Sequence, residues 1–136
     1  MRLKSFASAL GAALLGLLIA GAAPASAYER VPYTNVAIDA VRAANTPYII
    51  YVHADWCTTC QAQDRVLATL TDDPRFADLT IIEVNFDRQQ HIMRILNIPD
   101  RSTFVSYVGT QERNRSWADT TPGGIEAFLV ETMALQ

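Results

Sequence analysis

Two cysteines, Cys57 and Cys60, are the only thiols of the chain and stand three positions apart in the segment "WCTTC". This spacing occurs in zinc sites, in short structural disulfides and in redox-active dithiol pairs. A structural zinc site needs four ligands, and the chain adds only two separated histidines, His53 and His91. A disulfide across two intervening residues stabilises weakly because it closes a very short loop. The spacing therefore favours a redox pair over the two alternatives.

The first 27 residues differ in composition from the rest of the 136-residue chain. Arg2 and Lys4 precede an uncharged run rich in Ala, Leu and Gly over residues 6–23, and a small-residue segment, "ASA", ends at Ala27. This order is typical of a secretory signal peptide, which we predict to span residues 1–27 and to be cleaved after Ala27. An uncleaved membrane anchor is the alternative, since the run approaches the length of a membrane span.

Residues 28–136 are then predicted to form a single exported domain, periplasmic or secreted. Removal of Arg2 and Lys4 lowers the formal net charge from −3 to −5. Such an acidic domain has no basic cluster for nucleic acid, so we expect no nucleic-acid partner, and we expect a monomer. A cysteine pair can persist as a disulfide in an oxidising compartment. Export therefore favours the structural and redox interpretations of the pair over zinc binding.

Helical and strand-like patterns alternate along this domain. In the first half they predict a helix from a cap at Thr34 through Ala44, a strand at 48–53, a helix at 58–70 and a strand at 79–86. In the second half they predict a helix from a cap at Asp87 to about Leu96, a strand at 102–108, a returning strand at 112–118 and a helix from Pro122 or Gly123 through Met133. In the third helix Ile92, Ile95 and Leu96 are apolar. The alternation predicts an α/β sheet covered by helices on both faces, with early strands parallel and the last two a hairpin.

The cysteine pair falls at the turn from a buried strand into a helix. Free backbone N–H groups and the helix dipole favour negative charge at a helix N-terminus, so we predict a stabilised Cys57 thiolate with a lowered pKa. Cys60 lies one turn later on the same side of the helix. We therefore predict Cys57 as an exposed nucleophile and Cys60 as the resolving thiol that attacks a mixed disulfide on Cys57.

The segment "ADWCTTC", placed at this turn and in this order of elements, resembles the thioredoxin superfamily. It is similar in particular to periplasmic thioredoxin-like domains of transmembrane thiol reductases, and "VNFD" at 84–87 and "STFVSYVGTQE" at 102–112 fall where thioredoxins have a core strand and the first arm of a hairpin. The resemblance implies a three-layer sandwich with a central mixed sheet of four or five strands. It also implies thiol–disulfide exchange by Cys57 and Cys60 without cofactor or metal, beside a wall formed by Trp56.

Two positions near the pair depart from the family pattern. Thioredoxins have a buried acid six residues before the first cysteine, where this chain has Tyr51. A neutral phenol is a poor base near neutral pH. In the next strand Glu83 stands where thioredoxins have a buried lysine, and we hypothesise that Glu83 replaces the missing proton acceptor. The alternative is a solvent-facing strand residue, since unpaired acids are rarely buried.

The loop before the predicted hairpin also departs from the family. Ser102 stands in the place of the cis-proline that thioredoxins set beside the cysteines, and we predict a trans bond because a cis bond before a non-proline residue costs several kcal/mol. Arg101 and Ser102 are expected to shape the partner groove, Ser102 through its hydroxyl and Arg101 by favouring the Cys57 thiolate. The alternatives are a shifted loop that brings Pro99 to the site, or a loop without such a role.

Other polar and aromatic side chains are assigned from their positions in the predicted elements. His53 ends a strand four residues before Cys57, where an imidazole can tune the thiolate or relay a proton. Packing in an aromatic-sized slot is the alternative for His53. Asp64 is placed on the exposed face of the second helix, and Trp117 is expected to pack on the returning strand.

The two residues between the cysteines bear on the direction of the reaction. Thr58 and Thr59 carry no charge, and a reductant differs from an oxidant in how strongly its reduced thiolate is stabilised. The pattern therefore favours a reductant or a moderate potential. The resemblance implies cysteine-containing exported proteins as substrates and a membrane thiol reductase as electron donor. A thioredoxin-fold binding module or chaperone without redox turnover is the alternative, supported by Tyr51 and Ser102 because both replace usual catalytic groups.

Overall fold

The computed structural model describes residues 28–135, so the predicted signal peptide at 1–27 lies outside the described residues. The elements are β1 (Glu29–Pro32), α1 (Asn35–Ala44), β2 (Pro47–His53), α2 (Thr58–Leu70), a short 3₁₀ helix (Pro74–Phe76), β3 (Thr80–Asn85), α3 (Gln90–Ile95), β4 (Thr103–Val108), β5 (Gln111–Trp117) and α4 (Pro122–Met133). Each predicted helix and strand has a counterpart among them, and β1 and the 3₁₀ helix are additional.

The five strands form one mixed sheet in the order β1-β3-β2-β4-β5. The pairings of β1 with β3 and of β3 with β2 are parallel, while β4 runs antiparallel to β2 and to β5. The prediction of parallel early strands followed by an antiparallel hairpin is therefore confirmed. The central position of β2 places its carboxyl end, and the turn into α2, in the middle of one edge of the sheet.

Alternate residues of β2 fill two separate cores, one on each face of the sheet. Tyr48, Ile50 and Val52 pack with apolar residues of α1 and α3. Ile49 and Tyr51 pack on the opposite face, in the core that contains the two cysteines and apolar residues of α2 and α4. Because successive side chains of a strand point to opposite faces, a continuous apolar strand needs cover on both sides. The predicted three-layer sandwich is confirmed.

The first strand, β1, has no counterpart in the sequence prediction. Its four residues, "ERVP", include two charges and a proline and show little apolar alternation. β1 occupies an edge of the sheet and pairs only with β3, and an edge is where a strand tolerates proline. Its place in the sheet is therefore decided by pairing with β3 rather than by a local pattern.

The third helix is shorter than predicted and begins later. Asp87 does not cap it, because the helix begins at Gln90 with Gln89 as its N-cap. The preceding turn is closed by a hydrogen bond from the Arg88 backbone N–H to Asn85 Oδ1 at 2.9 Å. The helix spans Gln90–Ile95, with Ile92 and Met93 buried and Ile95 76% exposed. Two positions after Met93, the side chain of Ile95 points away from the core. Ile95, one of the three apolar residues of the predicted helix, is therefore not part of the core.

We expect Leu67→Ala to lower the free energy of unfolding by about 2 to 5 kcal/mol, because Leu67 on α2 is fully buried and its loss leaves a cavity. Val36→Ala is the matched control, since Val36 is 81% exposed, and it should change the same quantity by less than about 0.5 kcal/mol. Urea unfolding followed by circular dichroism measures both. Similar losses in the two variants would contradict the assigned core.

Candidate active site

The two thiols lie together at the start of α2. Both cysteines are free and buried, with Cys57 3% exposed and Cys60 fully enclosed. Their sulfurs are 2.6 Å apart, and Cys57 Sγ accepts a hydrogen bond from the Cys60 backbone N–H at 3.1 Å. Cys57 is therefore the N-cap of α2 and uses its sulfur where a cap usually uses an oxygen. The two thiols are placed to form and break a disulfide with little movement of the backbone.

The surroundings of the two sulfurs shift the pKa values of the two thiols in opposite directions. Burial tends to raise the pKa of the Cys57 thiol, but hydrogen bonds from Cys60 and Ser102 and the nearby Arg101 guanidinium outweigh it, so the pKa of Cys57 lies below that of a free thiol. Burial and the neighbouring Cys57 sulfur raise the pKa of Cys60. The predicted lowering for Cys57 is confirmed. The predicted exposure of Cys57 was wrong, because the loop that carries Ser102 packs against its sulfur.

The Ser102 hydroxyl contacts both sulfurs at once. Its Oγ lies 3.2 Å from Cys57 Sγ and 3.2 Å from Cys60 Sγ, and the residue is 3% exposed. The peptide bond before Ser102 is trans, as predicted, and φ is 58°. The backbone N–H donates to the Val52 carbonyl at 2.8 Å, and the carbonyl accepts from the Ala118 N–H at 2.9 Å. These two bonds hold a serine in the left-handed region that non-glycine residues rarely adopt.

Arg101 and Trp56 form the accessible rim of the site. Trp56 is 55% exposed, and its Nε1 donates to Asp87 at 2.9 Å. The Arg101 guanidinium lies over the Trp56 ring at 4.8 Å from the centroid and over Phe86 at 5.7 Å. This stacking fixes a cation beside Cys57 while leaving the outer face of Trp56 open. Asp87, predicted as a helix cap, instead orients the tryptophan.

Tyr51 lies beneath the cysteine pair and makes no hydrogen bond to either sulfur. Its hydroxyl donates to the Cys60 carbonyl at 3.2 Å, and its ring stacks on Phe104 with the centroids 4.4 Å apart. Burial raises the pKa of the Tyr51 phenol well above its usual range. Tyr51 is therefore a neutral hydrogen-bond donor that fixes the backbone of α2 at the resolving position.

Glu83 and His53 belong to a charged cluster formed with Arg30 and Asp64, which we call the Arg30 cluster. Arg30 Nε donates to Glu83 at 2.7 Å and Nη1 to Asp64 at 2.9 Å, and His53 Nε2 lies 2.9 Å from Asp64. The Glu83 side chain is 29% exposed, so it is neither enclosed nor free in solvent. His53 is 7% exposed and also packs edge-on against Tyr51.

The proton acceptor hypothesised at Glu83 is bound to the Arg30 guanidinium instead. In the described part of the chain, the side chains within hydrogen-bond distance of Cys60 Sγ are those of Cys57 and Ser102. His53 fills an aromatic-sized slot, as the alternative interpretation has it, and its Nε2 contacts the Asp64 carboxylate. Neither Glu83 nor His53 reaches the sulfurs directly.

Comparison with known proteins places this geometry in a family. The Thioredoxin family model matches residues 34–131. Trxlp from Edwardsiella tarda EIB202 is 34% identical, with 74% of this chain and 98% of that chain covered at a TM-score of 0.71. The chain belongs to the thioredoxin family. A comparison with the sequences of curated proteins gives no match.

More distant thioredoxins share the fold. Thioredoxin from Malassezia sympodialis (Mala s 13) is 19% identical and covers 79% of this chain and 94% of its own, with a TM-score of 0.66. A mutant thioredoxin from Halobacterium salinarum NRC-1 is 18% identical and covers 85% and 97%, also at 0.66. The family match and the adjacent thiols of Cys57 and Cys60 together identify a thiol–disulfide oxidoreductase. Over residues 28–135, none of the helices combines the length and apolarity that a membrane span requires.

Three residues that shape this thioredoxin site were missed or misplaced in the sequence analysis. Gln63 is fully buried, and its Nε2 donates to the Ser102 carbonyl at 3.1 Å and to the Asp119 carbonyl at 3.0 Å. Its signal is a polar residue three positions after Cys60, on the buried face of α2. Asp64 is partly buried in the Arg30 cluster rather than exposed. Arg30 lies in the unpredicted β1.

A groove next to the Ser102 loop is formed by the end of the hairpin. It has a volume of about 390 Å³ and is lined by Pro99, Asp100, Thr103, Arg115 and Trp117. Pro99 lines this groove, and the loop residue that contacts the cysteine sulfurs is Ser102. Trp117 is 65% exposed, so the prediction that it packs on the sheet was wrong. Its partner in register is Thr103, and the last position of an edge strand leaves a large ring uncovered.

We expect Arg101→Gln to raise the pKa of Cys57, because the substitution removes the cation beside the thiolate. The pH at which half of Cys57 is ionised should move upward, toward that of a free thiol, as followed by thiolate absorbance and by the rate of alkylation. Arg113→Gln is the control, since Arg113 is exposed on β5, and it should leave the titration unchanged. An unaltered curve in the Arg101 variant would contradict this account of the thiolate.

We expect Arg30→Met to lower the free energy of unfolding by about 1 to 2 kcal/mol, because it leaves the Asp64 and Glu83 carboxylates partly buried without their cation. The value is discounted from that of a fully buried pair because these side chains keep some contact with water. Arg75→Met is the control, since Arg75 also binds two carboxylates but is 53% exposed. Urea unfolding should show a clearly larger loss for the Arg30 variant than for the control.

Proposed function

We propose that this thioredoxin is an exported reductase of protein disulfides in which Cys57 is the nucleophile and Cys60 the resolving thiol. One observation carries the assignment of roles: Cys57 Sγ accepts a hydrogen bond from the Cys60 backbone N–H at the start of α2, whereas Cys60 is fully enclosed. These surroundings lower the pKa of Cys57 and raise that of Cys60. The thiolate is the reactive form of a cysteine. Cys57 is therefore the more readily ionised of the two thiols, and Cys60 holds its proton to a higher pH.

The reaction consists of two exchanges at the same sulfur. The Cys57 thiolate attacks one sulfur of a substrate disulfide, which releases a first substrate thiol and leaves a mixed disulfide on Cys57. The Cys60 sulfur then attacks Cys57 Sγ, forms the Cys57–Cys60 disulfide and releases the second substrate thiol. The two electrons that reduce the substrate come from the dithiol pair. No cofactor or metal takes part in this scheme.

The reducing direction is supported by the residues that surround the pair. A strong oxidant is made by strong stabilisation of its reduced thiolate. Thr58 and Thr59 carry no charge, and the cation beside Cys57, Arg101, is shared with Asp100 at 2.9 Å. The stabilisation of the thiolate is therefore moderate, and we expect a reduction potential close to the value of about −270 mV for thioredoxin.

The proposed location and partners rest on the sequence of the first 27 residues. A secretory signal peptide cleaved after Ala27 would deliver residues 28–136 to the periplasm or the exterior. A reductant in an oxidising compartment needs an electron supply, for which we propose a membrane thiol reductase. Its substrates are proposed to be oxidised cysteines of exported proteins, which would approach over Trp56 and Arg101 at the rim. A monomer suffices, because both thiols come from one chain.

We expect Cys57→Ser to abolish disulfide reduction and Cys60→Ser to accumulate a mixed disulfide on Cys57, because the first variant lacks the attacking sulfur and the second the resolving one. Insulin reduction measures turnover, and intact-protein mass spectrometry measures the trapped adduct. The double serine variant is the control and should form no adduct. Undiminished insulin reduction by Cys57→Ser would refute the roles.

The reduction potential of the Cys57–Cys60 couple, measured against glutathione, tests the direction. A potential much more oxidising than that of thioredoxin would refute the reductase. A wild-type protein with the same lack of turnover as the double serine variant would favour a thioredoxin-fold binding module instead.

A further inference from the structure

The resolving step requires a proton to leave a buried thiol. Cys60 is fully enclosed, and burial raises the pKa of its thiol. The side chain beneath it, Tyr51, already donates its own proton to the Cys60 carbonyl and cannot act as a base at neutral pH. Attack on the mixed disulfide by Cys60 therefore depends on another group that accepts its proton.

The carboxylates nearest in the fold do not supply that group. Glu83 and Asp64 are held by Arg30, and Asp64 is also bound to His53. A carboxylate bound to a guanidinium is a weaker base than a free one, since the cation favours its charged form. Among the described residues, no carboxylate lies within hydrogen-bond distance of Cys60 Sγ.

The Ser102 hydroxyl has the position that the reaction needs. Its Oγ lies 3.2 Å from each sulfur, so the two sulfurs and the oxygen form a compact triangle closed to solvent. A serine hydroxyl can donate one hydrogen bond and accept others at the same time. It can therefore accept a proton on one side while it releases its own proton on the other.

We propose that the Ser102 hydroxyl is a catalytic proton relay for the resolving step. As the Cys60 sulfur attacks Cys57 Sγ, the Cys60 proton passes to Ser102 Oγ. The serine side chain turns about its Cα–Cβ bond from Cys57 Sγ toward the sulfur bonded to it, and the Ser102 hydroxyl proton passes to that departing substrate sulfur. The bond between Cys57 and the substrate sulfur breaks as the Cys57–Cys60 bond forms, and the substrate leaves as a neutral thiol. Ser102 is unchanged at the end, and no external base or oxidant is required.

The backbone of Ser102 has an unfavourable conformation, which other contacts of the loop must hold in place. A non-glycine residue in the left-handed region is less stable than glycine there, because its Cβ crowds the following carbonyl oxygen. Here φ is 58°, and hydrogen bonds to Val52, Ala118 and Gln63 hold the residue in place. Glycine would adopt the same backbone freely, but it would lack the oxygen between the sulfurs. Gln63 is a positioning residue for the relay.

The same backbone conformation provides a variant that separates the hydroxyl from the fold. Ser102→Gly is expected to fold at least as stably as the wild type, because glycine adopts positive φ without strain. Ser102→Ala removes the same oxygen and keeps the strain. A loss of rate shared by the two variants is therefore due to the hydroxyl and not to the loop.

The test follows the reduced protein as it reacts with saturating oxidised glutathione in a stopped-flow instrument, with Trp56 fluorescence and quenched samples reporting the mixed disulfide and the final disulfide. We expect the resolving step to slow about 100-fold in both Ser102 variants, within the range for a positioned proton-transfer group. Each substitution is also placed on a Cys60→Ser background to measure the first attack alone. Because the Ser102 hydroxyl also stabilises the Cys57 thiolate, we expect the first attack to slow as well, but far less than the resolving step.

A second substrate tests the donation of the proton to the departing sulfur. The disulfide of thionitrobenzoate releases an acidic aromatic thiol that leaves as a thiolate, whereas glutathione is a basic leaving group. The relay predicts a smaller loss with the aromatic disulfide, and a solvent deuterium isotope effect on the resolving step that is reduced in Ser102→Gly. Equal losses with both disulfides, or a wild-type resolving rate in Ser102→Gly, would overturn the relay.

This inference rests on exchange between Cys57 and Cys60 and not on the reducing direction or the place of action proposed above. The proposed reducing direction and the proposed relay would be contradicted by different measurements. An oxidising potential overturns the direction and does not alter the comparison of resolving rates. A wild-type resolving rate in Ser102→Gly overturns the relay whatever the potential is.

Discussion

The hydrogen bond from the Cys60 backbone N–H to the Cys57 sulfur is the constraint on which the site depends. It makes a thiol the N-cap of α2, so the start of the helix and the position of the reactive sulfur are fixed together. The polar N-terminus of the helix then stabilises charge on Cys57 in surroundings that otherwise oppose it. Since α2 follows the central strand β2 after a short turn, the sheet holds the turn that carries Cys57 in place.

The loop before β4 completes the site at the same edge of the sheet. Ser102 has a strained backbone conformation that places its hydroxyl against both sulfurs. Gln63 of α2 donates a hydrogen bond to the Ser102 carbonyl and so connects the loop to the helix. Where a proline would contribute only shape, a serine contributes an oxygen that both donates and accepts hydrogen bonds. In the proposed relay Ser102, and not Glu83, accepts the proton of Cys60, since Tyr51 cannot act as a base there.

The charged side chains that the sequence suggested as candidates for the site stabilise the sheet and do not contact the sulfurs. Arg30 of the edge strand draws Glu83 of β3 and Asp64 of α2 into one cluster, with His53 on its border. These contacts join β1, β3 and α2, which are far apart in sequence. Glu83 was a reasonable candidate from its strand position, but its partner lies in a strand whose four residues carry no recognisable pattern. Local pattern fails there because an edge strand of this length is defined by its neighbour.

The sequence by itself determined the fold and the reactive pair. The continuous apolar run of β2, the change to helical spacing at Thr58 and the three-residue separation of Cys57 and Cys60 are local properties, and each follows from backbone geometry. Only the tertiary structure decided which groups contact the sulfurs. Ser102 lies 42 residues from Cys60, and whether it or an acid reaches a thiol depends on how strands and loops meet in three dimensions. Side-chain contacts across that separation are set by packing, which no local pattern encodes.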